Sequence, residues 1–103
     1  MRWVALSALF ALVGCSQQST ANSEAAERGR LTYMANCIAC HNADPAKPGT
    51  LGPAVKGSSR ELIEARVLRA AYPRGYTPKR DTKQMVPQPQ VADKLDDLAA
   101  YLR

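Results

Sequence analysis

The chain has 103 residues, with 14 Lys and Arg against 9 Asp and Glu, a net charge of +5 and three cysteines. That length allows one small domain. The basic residues are scattered, with no dense tract and no nucleic-acid motif, which excludes a nucleic-acid-binding protein. The single Phe and single Trp, Phe10 and Trp3, both sit near the N-terminus, so the core beyond them must come from Leu, Val, Ala, Met and Tyr, a composition suited to a domain built around a cofactor.

Met1-Arg2 is a short positive start, and Trp3 to Val13 is an apolar run broken only by Ser7. The run is too short to span a bilayer and has the build of a signal-peptide core. It ends in Leu12-Val13-Gly14-Cys15, which resembles a bacterial lipobox. That resemblance implies lipid addition to the Cys15 sulfur and cleavage just before it. Residues 1–14 are thus expected to be a lipoprotein signal peptide and Cys15 the lipidated first residue; an ordinary signal peptide with an incidental cysteine is the plainer alternative. Residues 16–23 are polar and read as a flexible tether, with a reach of roughly 15 Å by random-coil scaling. The expected location is the periplasmic side of a bacterial membrane. By the rule of that signal family, Ser16 after the cysteine favours the outer membrane.

The domain is expected over residues 24–103. Ser23 is placed to cap a helix that begins near Glu24 and runs to Asn36, with Glu24 and Glu27 near the positive end of its dipole. Gly29 inside that helix costs about 1 kcal/mol against Ala, which points to close packing there. Gly29 and Tyr33 share a face.

Cys37-Ile38-Ala39-Cys40-His41 follows, and C-x-x-C-H is the spacing of covalent c-type haem attachment. Two thiols three positions apart each reach one vinyl group of the same porphyrin, and the histidine that follows is held where a neutral imidazole can bind the iron. A redox dithiol would sit beside a βαβ pattern, and no strand-rich stretch is present. A zinc site would need two more Cys or His ligands, yet His41 is the only histidine. With Cys15 assigned to lipid and Cys37 and Cys40 to haem, no cysteine is left for a disulfide.

On this motif the sequence resembles the class I cytochrome c family. The resemblance implies an all-α fold, the small cytochrome c fold, with three or more helices packed around one covalently bound haem c. It implies that Gly29 and Tyr33 meet Leu98 and Tyr101 where the first and last helices cross. In the loop 42–53, rich in Pro and Gly, Leu51-Gly52-Pro53 is similar to the family's Gly-Pro segment, in which the proline carbonyl accepts a hydrogen bond from the ligand histidine. Pro53 is therefore expected to orient His41.

Ser58-Ser59-Arg60-Glu61 reads as a capping box, Ser58 as N-cap and Glu61 at N3, opening a helix to about Ala71 with Ile63, Val67 and Ala70 on one face. Residues 72–89 carry four prolines and Gly75, too many for a regular element, and a long irregular stretch in a compact domain is usually functional. The family places its second axial ligand, a methionine, in such a loop, which points to Met85. The usual form is Met followed directly by Pro, and here Val86 intervenes before Pro87. Met1 leaves with the leader, and Met34 lies on the first helix beside the attachment motif. Tyr72, Tyr76, Lys79 and Arg80 in the same loop are candidates for haem propionates, and Lys79 and Arg80 for a partner surface. A last helix from about Ala92 to Leu102 buries Val91, Leu95, Leu98 and Leu102.

The resemblance implies an electron-transfer protein rather than an enzyme: a membrane-anchored mono-haem cytochrome with His41/Met85 ligation, carrying single electrons between redox protein partners. A membrane respiratory complex is one candidate partner, and no small-molecule substrate is expected. If Met85 does not bind iron, the alternative is an open-site haem serving as a gas sensor or peroxidase-like enzyme.

Overall fold

Helices and loops account for the whole of the described chain, residues 16–103 of a computed structural model. In order they are α1 (Ser16–Asn36), α2 (Arg60–Arg69), a 3₁₀ segment (Pro89–Lys94) and α3 (Leu95–Leu102). No strand occurs among the described residues, and the architecture is all-α as expected. The expected signal peptide 1–14 and the lipidation residue Cys15 lie outside the described residues.

The first helix begins earlier than the sequence reading placed it. It starts at Ser16, so residues 16–23 are helical where a flexible tether was expected, and Ser23 lies inside the helix where it was expected as the cap. The segment contains neither Gly nor Pro. Once the turns from Glu24 onward are formed, adding further non-breaking residues costs little, because nucleation is the expensive step. Further along, Thr32 Oγ1 donates to the Arg28 carbonyl at 3.0 Å, and Asn36 Nδ2 donates to the Thr32 carbonyl at 2.8 Å.

α1 packs chiefly on α3. At their crossing Gly29 is buried, and a Cβ there would overlap the Asp97 carbonyl and lie 2.8 Å from Tyr101 Cβ. Only hydrogen fits, so the cost of a helical glycine is offset by the close approach it permits. One turn on, Tyr33 and Leu98 are each only 2 % exposed, and the Tyr33 and Tyr101 rings lie 5.5 Å apart at 53°, a tilted aromatic contact. The expected meeting of Gly29 and Tyr33 with Leu98 and Tyr101 is present.

α2 starts one residue later than expected. Ser59, not Ser58, is the N-cap, and its hydroxyl accepts from the Leu62 N–H at 3.1 Å. Ser58 instead donates to the Val55 carbonyl at 2.5 Å, which removes it from the cap and moves Glu61 off the N3 position. The helix ends at Arg69, with Ala70 in the left-handed region at φ 50°. Pro73 lies close ahead and favours termination here. Ala70 therefore serves as the C-cap, while Ile63 and Val67 share the face turned to the core and Ala65 is buried as well.

The last helical stretch divides. Its first turns, Pro89–Lys94, are 3₁₀, with a kink at Val91 (φ −110°, ψ 15°), and α3 proper starts at Leu95. Pro89 lacks an N–H and opens the tighter turn. The apolar stripe survives the change of pitch: Val91, Leu95, Leu98 and Leu102 are all buried. Arg28 pairs with Asp97 at 3.1 Å and Arg60 with Asp96 at 2.7 Å. Exposed pairs of this kind help set how the helices meet more than they stabilise.

Candidate functional site

α1 runs directly into the cysteine motif. Cys37 N–H donates to the Tyr33 carbonyl at 2.9 Å, and His41 N–H donates to the Cys37 carbonyl at 2.9 Å. The five residues therefore wind as a turn continuing the helix and bring both thiols to one place. Cys37 is partly buried and Cys40 exposed, and both thiols are free. Burial, reinforced by the neighbouring Cys40, pushes the Cys37 thiol up to about 11. A redox dithiol needs the opposite shift, towards thiolate. Among the described residues no three His, Cys, Asp or Glu side chains gather as a metal cluster.

The loop after His41 folds back beneath it. Leu51 and Gly52 N–H both donate to the Cys40 carbonyl, at 3.2 and 2.9 Å, and Gly49 N–H donates to the Gly52 carbonyl at 2.9 Å. This turn places the Pro53 carbonyl 2.9 Å from His41 Nδ1. A carbonyl can only accept, so Nδ1 carries the proton and Nε2 keeps its lone pair for a metal. Gly52 is buried against the imidazole: a Cβ there would overlap the ring and lie 2.9 Å from Nε2. Gly49 is likewise pressed on the Cys40 carbonyl. Asn42 ties the loop further, accepting from the Asp44 N–H at 2.9 Å through its side chain. Its own carbonyl takes the Tyr33 hydroxyl at 2.6 Å. Burial pushes that phenol up to about 12, so it remains a neutral donor.

His41, Cys37, Cys40, Pro53 and Met85 line one cavity. Its walls are mostly apolar: Val55 from the loop, Ile63 and Val67 from α2, Val91 from the 3₁₀ segment, Leu98 and Leu102 from α3. Met85 is half-buried and packs on the same core as Cys37. Met34 packs on that core too but is absent from the cavity lining. Tyr72 and Tyr76 stand at the wall, stacked 5.6 Å apart with planes 11° from parallel. The Arg66 guanidinium lies 4.2 Å from the Tyr72 ring centre, a cation–π contact. Lys79 and Arg80 also reach the cavity, but each is engaged with a backbone carbonyl, of Ala54 at 2.8 Å and Gly49 at 3.1 Å.

A family model for cytochrome c matches residues 26–103. The chain belongs to the cytochrome c family. No curated relative and no solved structure matches it. The family carries haem c, covalently bound, and the residues of this cytochrome fit that group. An apolar cavity opens beside two neighbouring free thiols, an imidazole already oriented by a carbonyl, and a thioether. The domain is therefore a haem-binding electron-transfer domain whose partners are redox proteins.

The sequence named the polar and sulfur groups of this site, but not the two glycines that make room for them. Gly52 was visible only as half of a Gly-Pro turn, and Gly49 as one breaker among several. Their close contacts join segments whose approach no local pattern encodes. Gly52→Ala should push the His41 ring away from the Pro53 carbonyl and destabilise the holoprotein by about 1–3 kcal/mol, as overpacking does. The check is a guanidinium melt paired with NMR exchange of the His41 Nδ1–H, which should quicken.

Proposed function

We propose that this cytochrome is a lipid-anchored carrier of single electrons on the periplasmic side of a bacterial membrane, without enzymatic turnover. Cys37 and Cys40 would hold its haem c covalently, and His41 and Met85 would bind the iron. The observation that carries this reading is that His41 and Met85 line the same cavity, whereas Met34 does not.

When bound, haem c supplies an iron that alternates between its ferric and ferrous states. The chain's residues supply the rest. His41 offers Nε2, fixed in direction by the Pro53 carbonyl. Met85 offers a soft thioether sulfur, which favours the ferrous state and raises the potential. Val55, Ile63, Val67 and Val91 keep water from the site, and the two cysteines hold the cofactor against dissociation. With His41 and Met85 both holding the iron, a small molecule would find no open place to bind.

The anchor reading rests on the lipobox at Cys15 and on an export route that suits c-type haem, which is attached outside the cytoplasmic membrane. No helix among the described residues is long and apolar enough to cross a membrane. As helix, residues 16–23 rise about 12 Å, which keeps the domain near the bilayer. Ser16 favours the outer membrane. Without Arg2 the net charge falls from +5 to +4, and two ionised propionates leave about +2, a mild attraction for an acidic redox partner. A membrane respiratory complex suits such a carrier.

Carbon monoxide separates a closed iron from an open one. The reduced holoprotein should show a low-spin spectrum that CO leaves unchanged; prompt CO binding would favour a gas-sensing or peroxidase-like site. Met85→Ala should bind CO and lower the reduction potential by on the order of 0.1 V, within the roughly 0.8 V span that axial ligands command. An unchanged potential in redox titration counts against Met85. A tagged fatty acid fed to the cells should label the unaltered cytochrome and leave Cys15→Ser unlabelled; absence of label from the unaltered protein would refute the lipid anchor.

A further inference from the structure

Between Thr77 and Pro87 the segment that carries Met85 has no helix or strand. Among the described residues, two hydrogen bonds join it to distant parts of the chain, and a third is local, from Gln88 Nε2 to the Val86 carbonyl at 3.1 Å. Lys79 Nζ donates to the Ala54 carbonyl at 2.8 Å, and Arg80 Nη2 donates to the Gly49 carbonyl at 3.1 Å. Regular backbone anchoring resumes at Gln88, whose N–H donates to the Val67 carbonyl at 2.7 Å.

Both acceptors flank the turn that orients His41. Gly49 and Gly52 are joined by a backbone hydrogen bond, Leu51 and Gly52 N–H donate to the Cys40 carbonyl, and Pro53 meets the imidazole. Gly49 is also pressed against the Cys40 carbonyl, so its own carbonyl is a fixed acceptor. Arg80 is half-buried where it meets Gly49, while Lys79 is exposed. A coil without backbone hydrogen bonds opens locally at low cost, so the few bonds that tie it across carry much of the preference for the closed state. Charged donors make such bonds stronger than neutral ones.

We propose that Lys79 and Arg80 form a latch that holds the Met85 loop closed by docking it on the turn that orients His41. The two cations are positioning residues, acting through the loop on the sixth ligand. The inference rests on Met85 being that ligand. It couples the two axial sides mechanically, since a disturbance of the 49–54 turn would loosen the methionine side as well.

Imidazole added to the ferric holoprotein measures how often the loop opens, because its apparent affinity scales with the open fraction. In K79A/R80A that affinity should rise on the order of tenfold, as the loss of two modest hydrogen bonds implies. Arg80→Lys, which keeps a cationic donor, should recover part of the difference, and the global guanidinium midpoint should stay in place. Unchanged imidazole affinity in the double variant, with the far-red methionine-to-iron band present in the unaltered protein, overturns the latch. A shift in potential alone, without a change in imidazole affinity, assigns the cations a purely electrostatic effect and overturns it equally. Absence of the far-red band from the unaltered protein removes the Met85 reading, and the latch with it. Because Lys79 is exposed, Lys79→Ala guards against a misfolded double variant. Its imidazole affinity should rise by part of the double variant's change while the amides of α1 and α3 keep their protection, and an unaltered affinity contradicts the proposal.

Discussion

A cavity that the chain cannot fill with its own side chains governs this structure. The buried core consists of Tyr33, Leu98 and a few aliphatic residues, with no Phe or Trp anywhere after residue 10. Ile63, Val67, Val91, Leu98 and Leu102 turn towards that core and also line the cavity. A domain of this size buries too little surface to be comfortably stable alone, so a large apolar cofactor serves as both the active group and the missing centre of the core. Covalent attachment, proposed at Cys37 and Cys40, would suit that double duty, because a core component that dissociates would take the fold with it.

The remaining architecture holds the two sides of the cavity in register. The α1–α3 crossing, closed to van der Waals contact by Gly29, fixes where Cys37 emerges and where Leu98 and Leu102 form the floor. The turn after His41 uses its backbone N–H groups to seat the imidazole rather than to extend a helix. The Met85 segment has no such scaffold. Met85 sits on coil, tied across by two long cationic side chains, so under the proposed His41/Met85 ligation one ligand would be held rigidly and the other adjustably. An electron carrier needs little reorganisation at the iron, which makes the security of that loop a functional matter as well as a structural one.

Much of this was legible in the sequence because its strongest signals are local. C-x-x-C-H is contiguous, the Val91–Leu95–Leu98–Leu102 stripe is periodic, and the density of proline marks the Met85 loop. What stayed hidden depends on competition or on distance. Two adjacent serines could each cap α2, and Ser59 prevails because Ser58 is drawn to the Val55 carbonyl. The start of α1 at Ser16 reflects propagation from a formed helix, which residue preferences over eight mostly polar positions do not register. Lys79 and Arg80 looked like solvent-facing or propionate-binding cations, since their carbonyl acceptors lie 25 and 31 residues away in the chain. Gly52 read as a turn residue, whereas its place in the structure is to leave room for a ring.

The central claim, that one cavity holds a haem iron between His41 and Met85, is tested most directly by proton NMR of the reduced holoprotein. A methyl group lying over a porphyrin face is carried far upfield by the ring current. The account predicts one strongly upfield methyl resonance assigned to Met85, with Met34 in the ordinary methionine range. An upfield resonance assigned to Met34, or none from either residue, would contradict it.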